Sequence, residues 1–296
     1  MKRRIFPLLL AALLLLLTAC GAPTKRKEPT EAAPSWSSRI EGTVEINGAS
    51  PWTYQLTTRT TERARWDKKD HRIVATCTYQ VPHMKITGGL EGGDKNEVHP
   101  ARAISQRFND LFEDWLTQRQ SNFGEIAAMA EEDYRNRTED DQWSGSSYCY
   151  SDAVTASFWN NGHIACVTME STSFTGGAHA IDRQEAYTFD LRKGTQVGIN
   201  DMVQDYNSLR AVVADEILHQ TSQQIEEDQA SYFSDYEKII PEWMSRSVIF
   251  GPDGLTVMFD VYDIAPYAAG EQAFHIPYDM VEPYLNDYGR ELLELA

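Results

Sequence analysis

Two short stretches concentrate the residue types from which a site could be built. In "SFTGGAHAIDRQEAYTFDLRKG" a histidine, His179, stands directly behind a glycine pair, inside a run that otherwise reads as strand. Glycine reaches backbone conformations closed to other residues, so Gly176 and Gly177 predict a tight turn or bulge that presents its neighbours. As a general base or metal ligand, His179 needs an acid, a nucleophile or further ligands close by. His163, Glu170, Asp190 and His275 are available, and none stands at motif spacing. The chain has no His-Glu-x-x-His, no Gly-x-Ser-x-Gly and no phosphate-binding glycine loop. A histidine without an orienting partner is a weak catalytic signal. The sequence is therefore read as a non-enzyme, with no catalytic residue, cofactor or metal. Two roles remain for the imidazole: pinning the turn through backbone hydrogen bonds, or joining Phe174, Thr175, Gly176 and Gly177 in a binding surface.

The second stretch is "APYAAGE", Ala265 to Glu271. Pro266 stiffens it, Gly270 turns the chain, and Tyr267 offers an aromatic face with a polar tip. Rigid tyrosine-bearing loops lose little entropy on binding, although one tyrosine can equally fold back to cap a sheet. The expectation is that the His179 loop and the Pro266–Tyr267 loop share one rim of a sheet. Wide separation of His179 and Tyr267 would reject it.

The chain holds 27 basic against 44 acidic residues, a formal net charge of −17. Loss of a leader containing Lys2, Arg3 and Arg4 deepens that to −20, since three cations leave with it. Such a surface repels phosphate backbones, so nucleic acid is excluded as a partner, while a cationic protein is steered in. The same charge also serves plain solubility. No Cys/His spacing suggests zinc. Cys77 alternates with Ile73, Ala75, Tyr79 and Val81 as a core thiol would, and a Cys149–Cys166 bridge is open in an oxidising compartment.

The amino terminus reads "MKRR", then "IFPLLLAALLLLL", then "LTAC". The apolar run is too short and too early for an ordinary spanning helix. Leu-x-Ala-Cys resembles a bacterial lipobox, which implies a signal peptide over residues 1–19, acylation of Cys20 and attachment at the extracytoplasmic face of the cell membrane. The Pro- and charge-rich segment that follows, over 20–36, reads as a solvated tether.

Beyond the tether, "RIEGTVEING", "YQLTTRTTERARW" and "RIVATCTYQVP" alternate as strands. After the loop "TGGLEGGDKN", the period becomes helical: Ile104, Phe108, Leu111, Phe112, Trp115 and Leu116 share a face, continued by Phe123, Ile126, Ala127, Ala130 and Tyr134. "SNFGE" is a candidate break between two helices. The acidic loop "NRTEDDQWSGSS" precedes a hairpin turning at Asn161-Gly162, and a second helix runs over "YNSLRAVVADEILHQTSQQIEED". A long strand, "LTVMFDVYDIAPYA", and a terminal helix close the chain. Strand runs joined by hairpins and interrupted by helices predict an α+β fold with antiparallel sheets and long helices packed against them.

Two blocks together resemble a known family. "FTGGAHAIDRQEAYTFDLRKGTQVGINDMV" and "FDVYDIAPYAAGEQAFHIPYDMV" are similar to the C-terminal ectodomain of the RsiV-like anti-sigma factors. The segment with "YQVPHMK", the long helix and "TASFWNNGHIACVTMES" resembles the domain found before the catalytic unit of PdaC-type peptidoglycan deacetylases. The resemblance implies a PdaC-N-terminal-like domain over 37–170 and an RsiV-C-terminal-like domain over 171–296. It implies a membrane-tethered binding module whose partner is a cationic glycan hydrolase such as lysozyme; peptidoglycan or another cell-wall glycan is the rival ligand, and an envelope hydrolase the third reading. The sigma-binding segment and the deacetylase's metal-bearing domain are not expected in this chain.

Overall fold

The alternating runs assemble into a seven-stranded sheet in simple sequence order, β1-β2-β3-β4-β5-β6-β7. Its strands are β1 (Ile40–Val44), β2 (Trp52–Trp66), β3 (Ile73–Gly88), β4 (Tyr150–Asn160), β5 (Ile164–Phe174), β6 (Ile181–Asp190) and β7 (Thr195–Val197). The computed structural model describes residues 36–90, 99–137, 149–227, 230–243 and 248–295, all within a compact unit spanning Pro34–Ala296. Cys20, the leader, most of the tether, most of the glycine-rich loop and the acidic loop after Arg137 lie outside the described residues.

All neighbouring strands pair antiparallel except β3 and β4, which run parallel. A parallel neighbour requires a crossover, and the segment between β3 and β4 holds α1 (Pro100–Asn136). The α+β class with antiparallel sheets holds, and this is the one parallel joint in a sheet that is otherwise antiparallel. Helix α1 is continuous through "SNFGE", because one glycine weakens a helix without ending it. The buried stripe carries on from Leu116 to Phe123, Ala127, Ala130 and Tyr134, so packing holds the helix together across Gly124.

A second layer lies on the opposite face. It comprises a three-stranded sheet, β10-β9-β8, from β8 (Val248–Phe250), β9 (Gly254–Phe259) and β10 (Gln272–Pro277). The helices α2 (Ile199–Met202), α3 (Tyr206–Glu226), α4 (Tyr236–Ile239), α5 (Tyr278–Val281) and α6 (Asp287–Leu293) complete it. Strand β5 joins the layers. Ala165, Val167 and Met169 enter the cluster under α1, while Ile164 and Cys166 enter the cluster with α3 and β8 to β10. A strand covered on both faces loses its polar alternation, and β5 is buried without a break from Ile164 to Met169. The division expected after residue 170 falls inside this strand, which is paired on both edges.

Two further expectations are corrected, and the cysteine pairing left open by the sequence is answered. The β4–β5 turn centres on Gly162 and His163, with Asn161 N–H bonded to the Ile164 carbonyl at 3.3 Å. Only Gly162 of these takes positive φ, at 91°, and the Asn161 side chain instead accepts from the amides of His163 (3.0 Å) and Ile164 (2.9 Å). The "LTVMFDVYDIAPYA" strand stops at Phe259, where the Asp263 carboxylate accepts the Asp260 amide at 2.9 Å and closes a turn. Cys77, Cys149 and Cys166 are all free thiols. Cys166 sits opposite Trp159, about 30 Å along β4 from Cys149 at the usual strand rise.

Inside the first cluster, Asp152 is 1% exposed and accepts two hydrogen bonds from the Arg119 guanidinium, at 2.9 and 2.6 Å, and one from Tyr79 at 2.6 Å. Truncating one member of a buried pair strands the other charge. Asp152→Ala is expected to cost about 3–5 kcal/mol in denaturant unfolding, with part recovered when Arg119→Met is added. At Gly124 a methyl group would meet no atom within 4 Å. Gly124→Ala is expected to stabilise the protein by about 0.5–1 kcal/mol in the same measurement.

Candidate functional site

The His179 and Tyr267 loops meet. Their rings stack with centroids 3.6 Å apart and planes inclined by 15°. A third ring, Tyr262, lies 6.2 Å from His179 and 5.8 Å from Tyr267. The patch is open to solvent: His179 is exposed and Tyr262 is 50% exposed.

Local chemistry explains how each ring is presented. Gly176 and Gly177 both adopt positive φ, 94° and 91°, and a methyl group at Gly176 would come within 3.0 Å of the Tyr150 hydroxyl. The pair thus swings the chain out between β5 and β6 and sets His179 two residues before Ile181. Pro266 starts a single 3-10 turn, Tyr267–Ala269, in which its carbonyl accepts the Ala269 amide at 2.8 Å. Gly270 ends the turn at φ 73°. Tyr262 occupies positive φ, 72°, a conformation that costs a non-glycine residue about 1–3 kcal/mol.

The imidazole is held at both nitrogens. Nδ1 lies 3.1 Å from the Ala180 carbonyl and Nε2 lies 3.1 Å from the Tyr262 hydroxyl. A carbonyl only accepts, so Nδ1 carries the proton and, in the neutral ring, Nε2 accepts from Tyr262. Turn-pinning and surface presentation, weighed as alternatives from the sequence, therefore occur in the same side chain.

The remaining candidates separate. Phe174 packs edge-on against Tyr150, centroids 6.3 Å apart, at the end of β5. Thr175 is exposed on the turn and Pro266 half-buried behind Tyr267. Asp190 is fully buried and accepts the amides of Arg192 (2.7 Å) and Lys193 (2.9 Å) and the Tyr288 hydroxyl (2.6 Å). His163 bonds the Glu291 carbonyl at 2.6 Å, beside α6. His275 stands on β10, 4.0 Å from Asp253. Among the described residues no group of three or more His, Cys, Asp or Glu is arranged to hold a metal ion, and no helix is long and apolar enough to cross a membrane.

Sequence reasoning missed Tyr262, because the alternation of Leu255, Val257, Phe259 and Val261 placed it in a strand. Its signal was local: aspartates three apart, Asp260 and Asp263, able to close a turn. The acids around the patch were missed as well. Burial first, then the charges of Asp260, Asp182 and Glu170, push the Glu271 carboxyl above its ordinary range. Burial, then Asp182 and Tyr262, raise the Tyr267 hydroxyl in the same way. Negative charge thus acts on both the Tyr267 hydroxyl and the Glu271 carboxyl.

A carboxyl with a raised folded pKa holds more protons folded than unfolded between the two values, so stability falls as pH rises through that window. Glu271 therefore destabilises the fold from the ordinary carboxylate range upward. Glu271→Gln is expected to raise the melting temperature near pH 7, with the gain closing toward about pH 4, where the parent carboxyl is protonated in both states. An increment equal at both pH values would show that charge is not its cause.

Comparison with known proteins bears on the fold. A member of the DUF3298 family from Bacteroides fragilis superposes with a TM-score of 0.57 at 15% identity, over 80% of this chain and 95% of that one. A DUF3298 family protein from Pseudomonas aeruginosa gives 0.51 at 14% identity, over 78% and 94%. No curated protein matches the sequence. Residues 200–279 match the family described as "Protein of unknown function (DUF3298)", a region that contains Tyr262 and Tyr267 and ends short of His179 on the amino-terminal side.

Proposed function

We infer that the protein is a membrane-tethered extracytoplasmic binding module that acts by docking a cationic protein partner, a glycan hydrolase of the lysozyme type, on the His179–Tyr262–Tyr267 patch. The observation that carries this reading is the stack of His179 on Tyr267, centroids 3.6 Å apart, from loops far separated in sequence. Two loops braced against each other form a preorganised surface, which lowers the ordering cost of binding. Tyrosine supplies contact area through few rotatable bonds.

Charge supports the sign of the partner. The formal net charge is −17, and Asp260, Asp182 and Glu170 act on Glu271, with Asp182 also acting on the Tyr267 hydroxyl. A cation facing an aromatic ring amid acids gains from the ring quadrupole and from the surrounding field. The leader ending in Leu-x-Ala-Cys supports a lipid anchor at Cys20, and the resemblance to RsiV-like ectodomains supports lysozyme as the first partner to try. The module binds; it does not turn over a substrate.

The test is binding of the full chain, in detergent micelles, to immobilised lysozyme at low and high salt, beside a Tyr267→Ala variant. Charge-steered docking is expected to lose association rate steeply with ionic strength. Removal of the stacked ring is expected to weaken affinity by about tenfold or more, as for a central aromatic anchor. Retention on purified cell wall with no response to lysozyme would assign the patch to a glycan. Binding to neither would remove this reading.

A further inference from the structure

Among the described residues, the edge of β6 nearest the patch is unpaired. In the β5–β6 ladder the Leu191 amide bonds the His163 carbonyl at 2.9 Å, so odd-numbered residues of β6 turn their amides and carbonyls toward β5. The Ser171 hydroxyl bonding to the Arg183 carbonyl agrees. Even-numbered residues therefore face outward. Strand β7 pairs only with Thr188 to Asp190, and among the described residues no hydrogen bond reaches the outward backbone groups of Asp182, Gln184 or Ala186.

This edge sits between two features. At its amino-terminal end is the ring patch, with Asp182 among the acids that raise Tyr267 and Glu271. At its other end a cleft of about 350 Å³ opens between Ala186, Val197, Val248 and Phe250. The side chains of Glu170, Asp182 and Gln184 share the face turned to the patch, as their register shows: Glu170 pairs with Gln184, and Asp182 lies two residues away on the same side.

We propose that the β6 edge receives an extended, lysine- or arginine-bearing segment of the partner protein as an added strand. Its backbone pairs with Asp182, Gln184 and Ala186, its cationic side chains lie over the acid-flanked tyrosines, and the following side chain on that same face reaches the cleft. Unpaired edges invite strand addition. A second copy of this chain is disfavoured, because the edge would bring Asp182 and its neighbouring acids together within a chain of net charge −17. A basic strand meets the opposite field. This inference adds a docking mode to the binding reading above and rests on it for the identity of the partner.

The probe is a capped eight-residue alternating lysine–valine peptide, with a copy N-methylated on alternate amides. Hydrogen exchange of the full chain in detergent is expected to slow at three amides within residues 181–187 when the parent peptide binds. The N-methylated copy is expected to bind about tenfold more weakly or worse, since it cannot donate to the edge. Ala186→Pro removes an outward amide and no bond to β5, and is expected to weaken lysozyme binding by a similar factor at unchanged melting temperature. Equal binding of the two peptides, or protection confined to other segments, overturns the proposal whether or not the proline variant folds. Lysozyme binding that Tyr267→Ala abolishes and a folded Ala186→Pro leaves intact also overturns it, while sparing the binding reading. Edge protection by the peptide with no response to lysozyme supports the edge and removes lysozyme as partner.

Discussion

Strand β5 has to satisfy two cores at once. Ala165, Val167 and Met169 pack beneath α1, and Ile164 and Cys166 pack against the layer of α3 and β8 to β10. Because side chains alternate strictly along a strand, a slip of one residue would exchange the two sets and fit neither core. The register of β5 is thus fixed from both sides, and it fixes in turn the β6 strand hydrogen-bonded to it. The glycine turn between them emerges at one end of this locked pair. The Tyr262 and Tyr267 loops follow β9 in the layer that β5 anchors. The stack of His179 on Tyr267 is a downstream result of one strand being shared.

Buried charge sets the placement of the outer elements. Apolar packing alone lets a long helix slide along a sheet with small loss, whereas the bidentate Arg119–Asp152 pair, with Tyr79 as third partner, permits one position. Asp190 does the same for the opposite layer. Its carboxylate closes the β6–β7 turn and takes the Tyr288 hydroxyl from α6, while Lys193 lies 3.4 Å above the Tyr288 ring. The "FDLRKG" run is therefore an architectural latch. Its aspartate, placed near His179 by sequence, faces the interior and works on the terminal helix.

Where local pattern and tertiary packing agreed, the sequence was readable. The α1 stripe, the strand alternation of β2, β3 and β4 and the α+β class all follow from periodicity, because burial and period report the same face. The His179 turn was readable because Gly176 and Gly177 both adopt positive φ. Failures occurred where a side chain competed with the backbone. Asn161 caps the β4–β5 turn with its carboxamide and shifts the turn by one residue. Asp263 ends β9 although Val261 continues the alternation. The same competition hid Tyr262, the ring that completes the patch. The β3–β4 parallel joint was hidden for another reason, since pairing across a long helical excursion leaves no local trace.

The patch runs against stability in two ways, and both are what the proposed binding role would call for. Tyr262 is held at φ 72°, where glycine would rest without strain. Glu271 sits partly buried among Asp260, Asp182 and Glu170, where a neutral side chain would avoid the repulsion. A surface shaped only by folding would relieve both tensions cheaply, since neither residue contributes to the two apolar clusters. Strain at a tyrosine and crowding of acids make physical sense together when an aromatic face must meet positive charge. The incoming cation would relieve the acid repulsion, and the ring would already stand in the bound geometry. The cost is then carried by the unliganded protein, and the doubly buried β5 gives the fold enough rigidity to carry it.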